Sequence, residues 1–109
     1  MAARYVLSQS GSQYHFVLKA GNNEVILQGE RYSARHSALS GIASVRANSP
    51  YDDRYQRSTA ANGQPMFNLL SANGEIIGTS ETYTSPSARE IGIRSVMGNG
   101  PDAPIDDQS

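Results

Sequence analysis

Apolar and polar residues alternate along Tyr14-His-Phe-Val-Leu-Lys19, placing Tyr14, Phe16 and Leu18 on one face and His15, Val17 and Lys19 on the other. A period of two is that of a β-strand with one buried face. Arg4-Tyr-Val-Leu-Ser8 precedes this segment across a Gly11-Ser12 turn, and Glu24-Val-Ile-Leu-Gln28 follows across Gly21-Asn22-Asn23. Three strands joined by two tight connections make a meander. Beyond Tyr32 the period lengthens. Ala38, Ile42 and Val45 recur at helical spacing among Arg35, His36, Ser44 and Arg46, which predicts a short amphipathic helix ending at Asn48-Ser49-Pro50.

The same pattern returns 51 residues later. Phe16-Val-Leu18 is answered by Phe67-Asn-Leu69, Asn22-Asn-Glu24-Val-Ile26 by Asn73-Gly-Glu75-Ile-Ile77, Glu30-Arg-Tyr32 by Glu81-Thr-Tyr83, and Gly41-Ile-Ala-Ser-Val45 by Gly92-Ile-Arg-Ser-Val96. Asn62-Gly63 and Asn73-Gly74 carry the positive-φ signature of type I′ hairpins. Tyr5 to Phe16 is one residue shorter than Tyr55 to Phe67, and the missing residue is expected in the first hairpin loop, where a deletion disturbs least. Ala88, Ile91 and Ile93 through Val96 outline the second helix, with Ser85-Pro86 as its cap and first turn and Asn99-Gly100-Pro101 as its stop. Gly41 and Gly92 lie inside the two helices, where glycine costs about 1 kcal/mol relative to alanine. A cost incurred twice at equivalent positions points to close packing.

The segments Phe16-Val-Leu-Lys-Ala-Gly-Asn22, Gly41-Ile-Ala-Ser-Val-Arg-Ala-Asn-Ser-Pro50, Phe67-Asn-Leu69 and Asn73-Gly-Glu-Ile-Ile-Gly78 resemble the YegP-type family of small bacterial proteins of uncharacterised function. The resemblance implies three strands and a helix per repeat, with room for a further short strand after each helix. It also implies one sheet built around a pseudo-twofold axis with exchange of C-terminal elements. Two positions depart from the family pattern. Leu70 stands where a lysine is usual, opposite Lys19 of the first copy, and Ala34 replaces a small hydroxyl residue at the helix start, which shifts the expected cap to Ser33.

Elementary physics favours the same assembly. Half of a chain of 109 residues is near the size at which a core becomes hard to sustain alone, so the halves should share one core. Two repeats are too few for a solenoid. The expected fold class is therefore α+β, with two tandem β-β-β-α repeats, about 3–50 and 54–101, sharing one antiparallel sheet with helices packed on it. A single domain with internal pseudo-twofold symmetry follows, expected as a monomer that is an intramolecular pseudo-dimer. Residues 102–109 read as an acidic, partly disordered tail, although Ile105 leaves a short strand open.

Nine basic and ten acidic residues give a formal net charge of −1, too small for a strong field toward nucleic acid or anionic membrane. The chain has no cysteine, so disulfides, thiolate metal sites and cysteine nucleophiles are absent. The opening Met1-Ala-Ala-Arg-Tyr-Val-Leu7 has no apolar core of a secretion signal, and no stretch is long enough to span a bilayer, so a cytoplasmic protein is expected. His15 and His36 have no metal-ligand spacing, and neither a Gly-x-Ser-x-Gly elbow nor a phosphate-binding loop is present. No cofactor is implied.

Three functional classes remain. The leading one is a non-enzymatic interaction or accessory module with a protein partner. The second is a weak nucleic-acid binder using Arg35, Arg46, Arg54, Arg57, Arg89 and Arg94, a stripe interrupted by Asp52, Asp53 and Glu90. The third is an enzyme with a site at the repeat junction, where Glu24 would meet Glu75 or Tyr32 would meet Tyr83; Glu30 and Glu81 are a second duplicated carboxylate pair, with Glu30 on the same strand face as Glu24. Tyr32 and Tyr83 are candidates to line a pocket. Their competing role is structural, with the hydroxyl capping nearby backbone.

Overall fold

Phe16, Leu18, Phe67 and Leu69 are all fully buried, so the alternating face read from the sequence is the one that enters the core. The computed structural model describes residues 2–109; Met1, where the sequence was read for a leader, lies outside the described residues. The elements run β1 (Arg4–Ser10), β2 (Gln13–Lys19), β3 (Val25–Gln28), α1 (Arg35–Asn48), a 3₁₀ turn (Asp52–Arg54), β4 (Tyr55–Thr59), β5 (Pro65–Leu70), β6 (Ile76–Thr79), α2 (Pro86–Asn99) and β7 (Ile105–Asp107). They form one seven-stranded sheet in the order β4-β5-β6-β3-β2-β1-β7.

Six of these strands are antiparallel to their neighbours in two meanders, joined at the centre where Gln28 of β3 pairs with Thr79 of β6. The pseudo-twofold axis passes through that junction. The seventh strand makes the sheet mixed instead of purely antiparallel, because β7 pairs in parallel with β1. Tyr5 N–H donates to the Pro104 carbonyl at 2.8 Å and Gln108 N–H to the Leu7 carbonyl at 2.7 Å. The segment read as an acidic tail thus contains a strand. Nothing equivalent covers β4, because only Ser49 to Arg54 lie between α1 and β4 and the chain goes directly from helix to strand.

Turn chemistry follows the asparagines and glycines by a different route from the type I′ expectation. Gly63 (φ 84°) and Gly74 (φ 88°) are left-handed, but Asn62 and Asn73 are not. Gly63 N–H bonds Ala60 and Ala60 N–H bonds Gln64, as in a type I turn closed by a left-handed residue. Asn62 Oδ1 accepts from Gln64 N–H at 3.0 Å. The one-residue difference falls where it was expected, since β1 and β2 are joined by Gly11-Ser12 alone, with Gly11 at φ 62°.

Ser85 caps α2, its Oγ accepting from Ala88 N–H at 3.1 Å. At α1 the cap position is Ala34 and no side chain replaces the missing hydroxyl, so the cap does not shift to Ser33. Ala38, Ile42 and Val45 of α1 and Ile93 and Val96 of α2 are buried as their spacing predicted. Ile91 is not. It stands 62 % exposed.

The halves interlock. Helix α1 packs on β2 and also on β5 and β6, while α2 packs on β5 and on β3. At the helix C-termini the exchange is reciprocal: the Tyr5 hydroxyl donates to the Gly100 carbonyl at 2.6 Å, and the Tyr55 hydroxyl to the Ser49 carbonyl at 2.8 Å. Each first strand therefore satisfies a terminal carbonyl of the other half's helix, one of the groups a helix cannot bond internally. A single core cluster contains Tyr5, Phe16, Ile42, Tyr55, Phe67 and Ile93.

Candidate functional site

Tyr32 and Tyr83 lie in the connections from β3 to α1 and from β6 to α2, and their rings stack on the central phenylalanines. Phe16 and Tyr32 are 6.2 Å apart at 15°, Phe67 and Tyr83 6.2 Å apart at 13°. Tyr5 and Tyr55 complete each triad edge-on, at 6.1 and 5.6 Å. The far end of each stacked ring lies over a helix glycine. A Cβ on Gly41 would come closer than 3.0 Å to the Tyr32 hydroxyl, and one on Gly92 would do the same at Tyr83. The close packing expected of these glycines is thus against a tyrosine of their own repeat. Backbone capping by tyrosine belongs to Tyr5 and Tyr55 and not to the junction pair.

Strands β3 and β6 run antiparallel, with Glu24 just before the start of one and Glu75 just before the start of the other, and Glu24 lines the same cleft as Tyr83. Glu24 and Glu75 therefore stand at opposite ends of the β3–β6 pair, both exposed, and do not form a carboxylate dyad. Glu81 accepts a hydrogen bond from Gln28 Nε2 at 2.9 Å. Desolvation, and next the negative charge of Glu30, raise the Tyr32 phenol above its ordinary range. The same happens at Tyr83, through desolvation, Glu81 and then Glu24. Both phenols are held protonated.

What the junction builds is a cleft of about 310 Å³. One wall comes from the β2–β3 connection and the start of β3, with Ala20, Glu24 and Ile26. Tyr83 and one face of α2, including Ala88, Ile91 and Ser95, form the other. The volume lies at the lower end of the roughly 300–1,000 Å³ common for small-molecule sites. Glu24 is the one charged residue in the lining. Of the residues put forward from sequence as candidates for function, Tyr83 and Glu24 belong to this cleft, while Glu75, Glu30, Glu81, Tyr32 and the arginines do not. Ala20, Ala88 and Ile91 were missed; the available signal was that each is apolar where its repeat counterpart, Ser71, Ser37 or Ser40, is a serine.

The arginines do not gather into a stripe. Arg35 pairs with Asp107 on β7, and that guanidinium, together with hydrogen bonds from Ser109, depresses the Asp107 carboxyl to about 2. Arg46 lies over the Tyr5 ring at 5.4 Å and donates to the Ala103 carbonyl at 2.6 Å. Arg54 donates to Asn48 Oδ1 and covers the Tyr51 ring. Arg57 grips Glu90 through both oxygens at 2.8–3.1 Å and also reaches Asp52 at 2.9 Å. Arg89 contacts Glu90 and the Ser58 carbonyl. Arg94 is exposed and takes part in no ion pair among the described residues. Among the described residues Tyr51 is the single aromatic exposed beyond half its surface, so a row of stacking rings is lacking there. Among the described residues there is no cluster of three potential metal ligands and no helix long and apolar enough to cross a membrane.

Comparison with known proteins finds two adjacent matches to a domain of unknown function, DUF1508, over residues 10–56 and 60–107. A UPF0339 protein of Bordetella pertussis is 52 % identical over 109 residues, covering 100 % of this chain and 98 % of the relative. UPF0339 protein YegP of Escherichia coli K12 is 49 % identical over 110 residues, with all of both chains covered. Two solution NMR structures share the fold. The UPF0339 protein SO3888 of Shewanella oneidensis superposes with a TM-score of 0.89 at 51 % identity, covering 98 % of this chain and 92 % of that one. The Escherichia coli protein of unknown function yegP gives 0.91 at 50 %, covering 99 % and 94 %.

Proposed function

The chain belongs to the DUF1508 family, and from that premise we propose that it is a non-enzymatic interaction module whose ligand seat is the cleft between the β2–β3 connection and α2. One observation carries this reading: Ile91, at 62 %, is the most exposed large hydrophobic residue among those described, and it stands on the wall of that cleft. Covering an exposed isoleucine is worth about 1.5–3 kcal/mol, which a folded chain gains only from something outside itself. The groups that acid–base chemistry would need support binding better than turnover. Glu24 is apart from Glu75, and its nearest titratable neighbour in the cleft is a phenol with a raised pKa. Phosphate binding by the arginines is the weaker reading, because five of the six candidates already have intramolecular partners.

The test is a titration of the ¹⁵N-labelled protein with a library of small amphipathic fragments, followed by amide shifts. Perturbations are expected to concentrate at Ala20, Glu24, Tyr83, Ala88 and Ile91. Shifts scattered over the surface, or none at any concentration, would sink the proposal, as would specific turnover by the purified, cofactor-free protein.

A further inference from the structure

The pseudo-twofold relates the cleft to an equivalent position on the same face of the sheet at the other end of the β3–β6 pair, near Tyr32, Gly41 and the start of β6. Six lining residues of the cleft are identical in the two seats; Glu24 is matched by Glu75, Tyr83 by Tyr32 and Ser95 by Ser44. The remaining three differ in one direction only. Ala20, Ala88 and Ile91 in the cleft face Ser71, Ser37 and Ser40 in its twin. Two seats with one frame have thus been given opposite character, apolar and hydroxylic. The substitutions change the polarity of the cleft side while leaving its carboxylate, its tyrosine and its helix glycine in place, so the two positions offer a small molecule different surfaces.

The chemistry of the apolar seat narrows its occupant. Its walls are aliphatic on both sides, and one end holds an aromatic ring, Tyr83. The Glu24 carboxylate is the only charge, and Glu24 takes part in no ion pair among the described residues. A carboxylate beside an aromatic ring favours a cation, through a charge-assisted hydrogen bond and the negative face of the ring. We infer that the cleft binds a small organic ammonium with an apolar body, the nitrogen held by Glu24 at the Tyr83 end and the hydrocarbon lying on Ile91 and Ala88. This rests on the cleft being the ligand seat. It adds both the ligand class and the identity of the residues that decide which twin binds.

Benzylammonium and its neutral counterpart benzyl alcohol serve as probes, read by amide shifts and titration calorimetry. Benzylammonium is expected to bind with a stoichiometry of one, about tenfold or more tighter than the alcohol. Glu24→Gln should reduce it to the affinity of the alcohol, and Ile91→Ser should weaken both probes. These side chains are exposed, so the variants should keep the wild-type spectrum. The triple change Ser37→Ala, Ser40→Ile and Ser71→Ala should create a second site with shifts around Tyr32. Equal binding of alcohol and ammonium, with no effect of Glu24→Gln, would overturn the ammonium assignment while leaving the cleft as the seat. Absence of shifts at the cleft for either probe would remove both. A triple variant that still binds at one site would show that the three positions do not decide occupancy.

Discussion

At the scale of single residues, the glycine beneath each junction tyrosine sets two preferences against each other. Alanine at Gly92 would improve helix propensity by about 1 kcal/mol. Its Cβ would also fall within 3.0 Å of the Tyr83 ring and hydroxyl, and overpacking of that kind costs about 1–3 kcal/mol. The ring is stacked on Phe67 and has little freedom to retreat, so overpacking should win. Gly92→Ala is expected to lower the melting temperature, and Tyr83→Phe, which removes the closest atom, should restore part of the loss in the double variant. A single variant more stable than the wild type would contradict the packing account. The other two core tyrosines give a pH dependence. Burial pushes the phenols of Tyr5 and Tyr55 far above their ordinary range. In the unfolded chain they ionise near pH 10, while the folded state keeps them protonated. Their contribution is therefore fully present below about pH 10 and is lost as pH rises above it. Urea unfolding between neutral and strongly alkaline pH should show that decline, and the Tyr5→Phe, Tyr55→Phe double variant should flatten it.

At the scale of elements, the two outer strands β1 and β4 occupy equivalent positions but meet different neighbours. Leu7 on β1 is fully buried beside β7, and Leu39 of α1 packs against the same core cluster. Their counterparts on the uncovered side are Arg57 and Glu90, joined through both carboxylate oxygens. A charged pair on an exposed edge discourages strand addition by another molecule. Arg57→Ala should cost less than about 1 kcal/mol, since both groups are partly in water. Replacing Arg57 and Glu90 together by leucine would restore the apolar pattern of the covered edge without its cover. Light scattering should then show concentration-dependent association exceeding that of the wild type; a double variant that associates no more than the wild type would mean the pair does not guard the edge. Six strands and both helices were legible in the sequence because alternation along β2, turn residues between the strands and fourteen-residue helical spacing are written twice, so the second copy marks the elements that are too short to show a period alone. β7 was legible only as an option at Ile105, because three residues with one apolar side chain have no period. Ile91 was misread for a related reason: helical spacing cannot distinguish a side chain facing the sheet from one beside it at the rim of a cleft.

At the scale of the whole molecule, the doubled text announced the shared core and the pseudo-twofold, yet it could not announce the cleft. That depends on the register of β3 against β6, and the pairing there rests on Gln28 and Thr79, neither of which carries a pairing signal of its own. The same register makes the halves mutually dependent, which a split chain can test. A cut between Asp52 and Asp53 falls in the 3₁₀ turn and interrupts no strand or α-helix. It separates Tyr55 from the Ser49 carbonyl and Tyr5 from the Gly100 carbonyl, and it divides one core cluster in two. It also leaves each helix without the strands of the other half on which it packs. Fragments of this size are marginal even with their own core. Each fragment alone should therefore lack the dispersed amide spectrum of a folded monomer, staying unfolded or pairing with a copy of itself across the twofold surface. Mixing the two at equal concentration should recover the spectrum of the intact chain, the cleft and its Glu24–Tyr83 juxtaposition included, because those walls come from opposite fragments. A fragment that folds as a monomer would show that each repeat holds a sufficient core, and the reciprocal tyrosine bonds would then be an embellishment of two independent units.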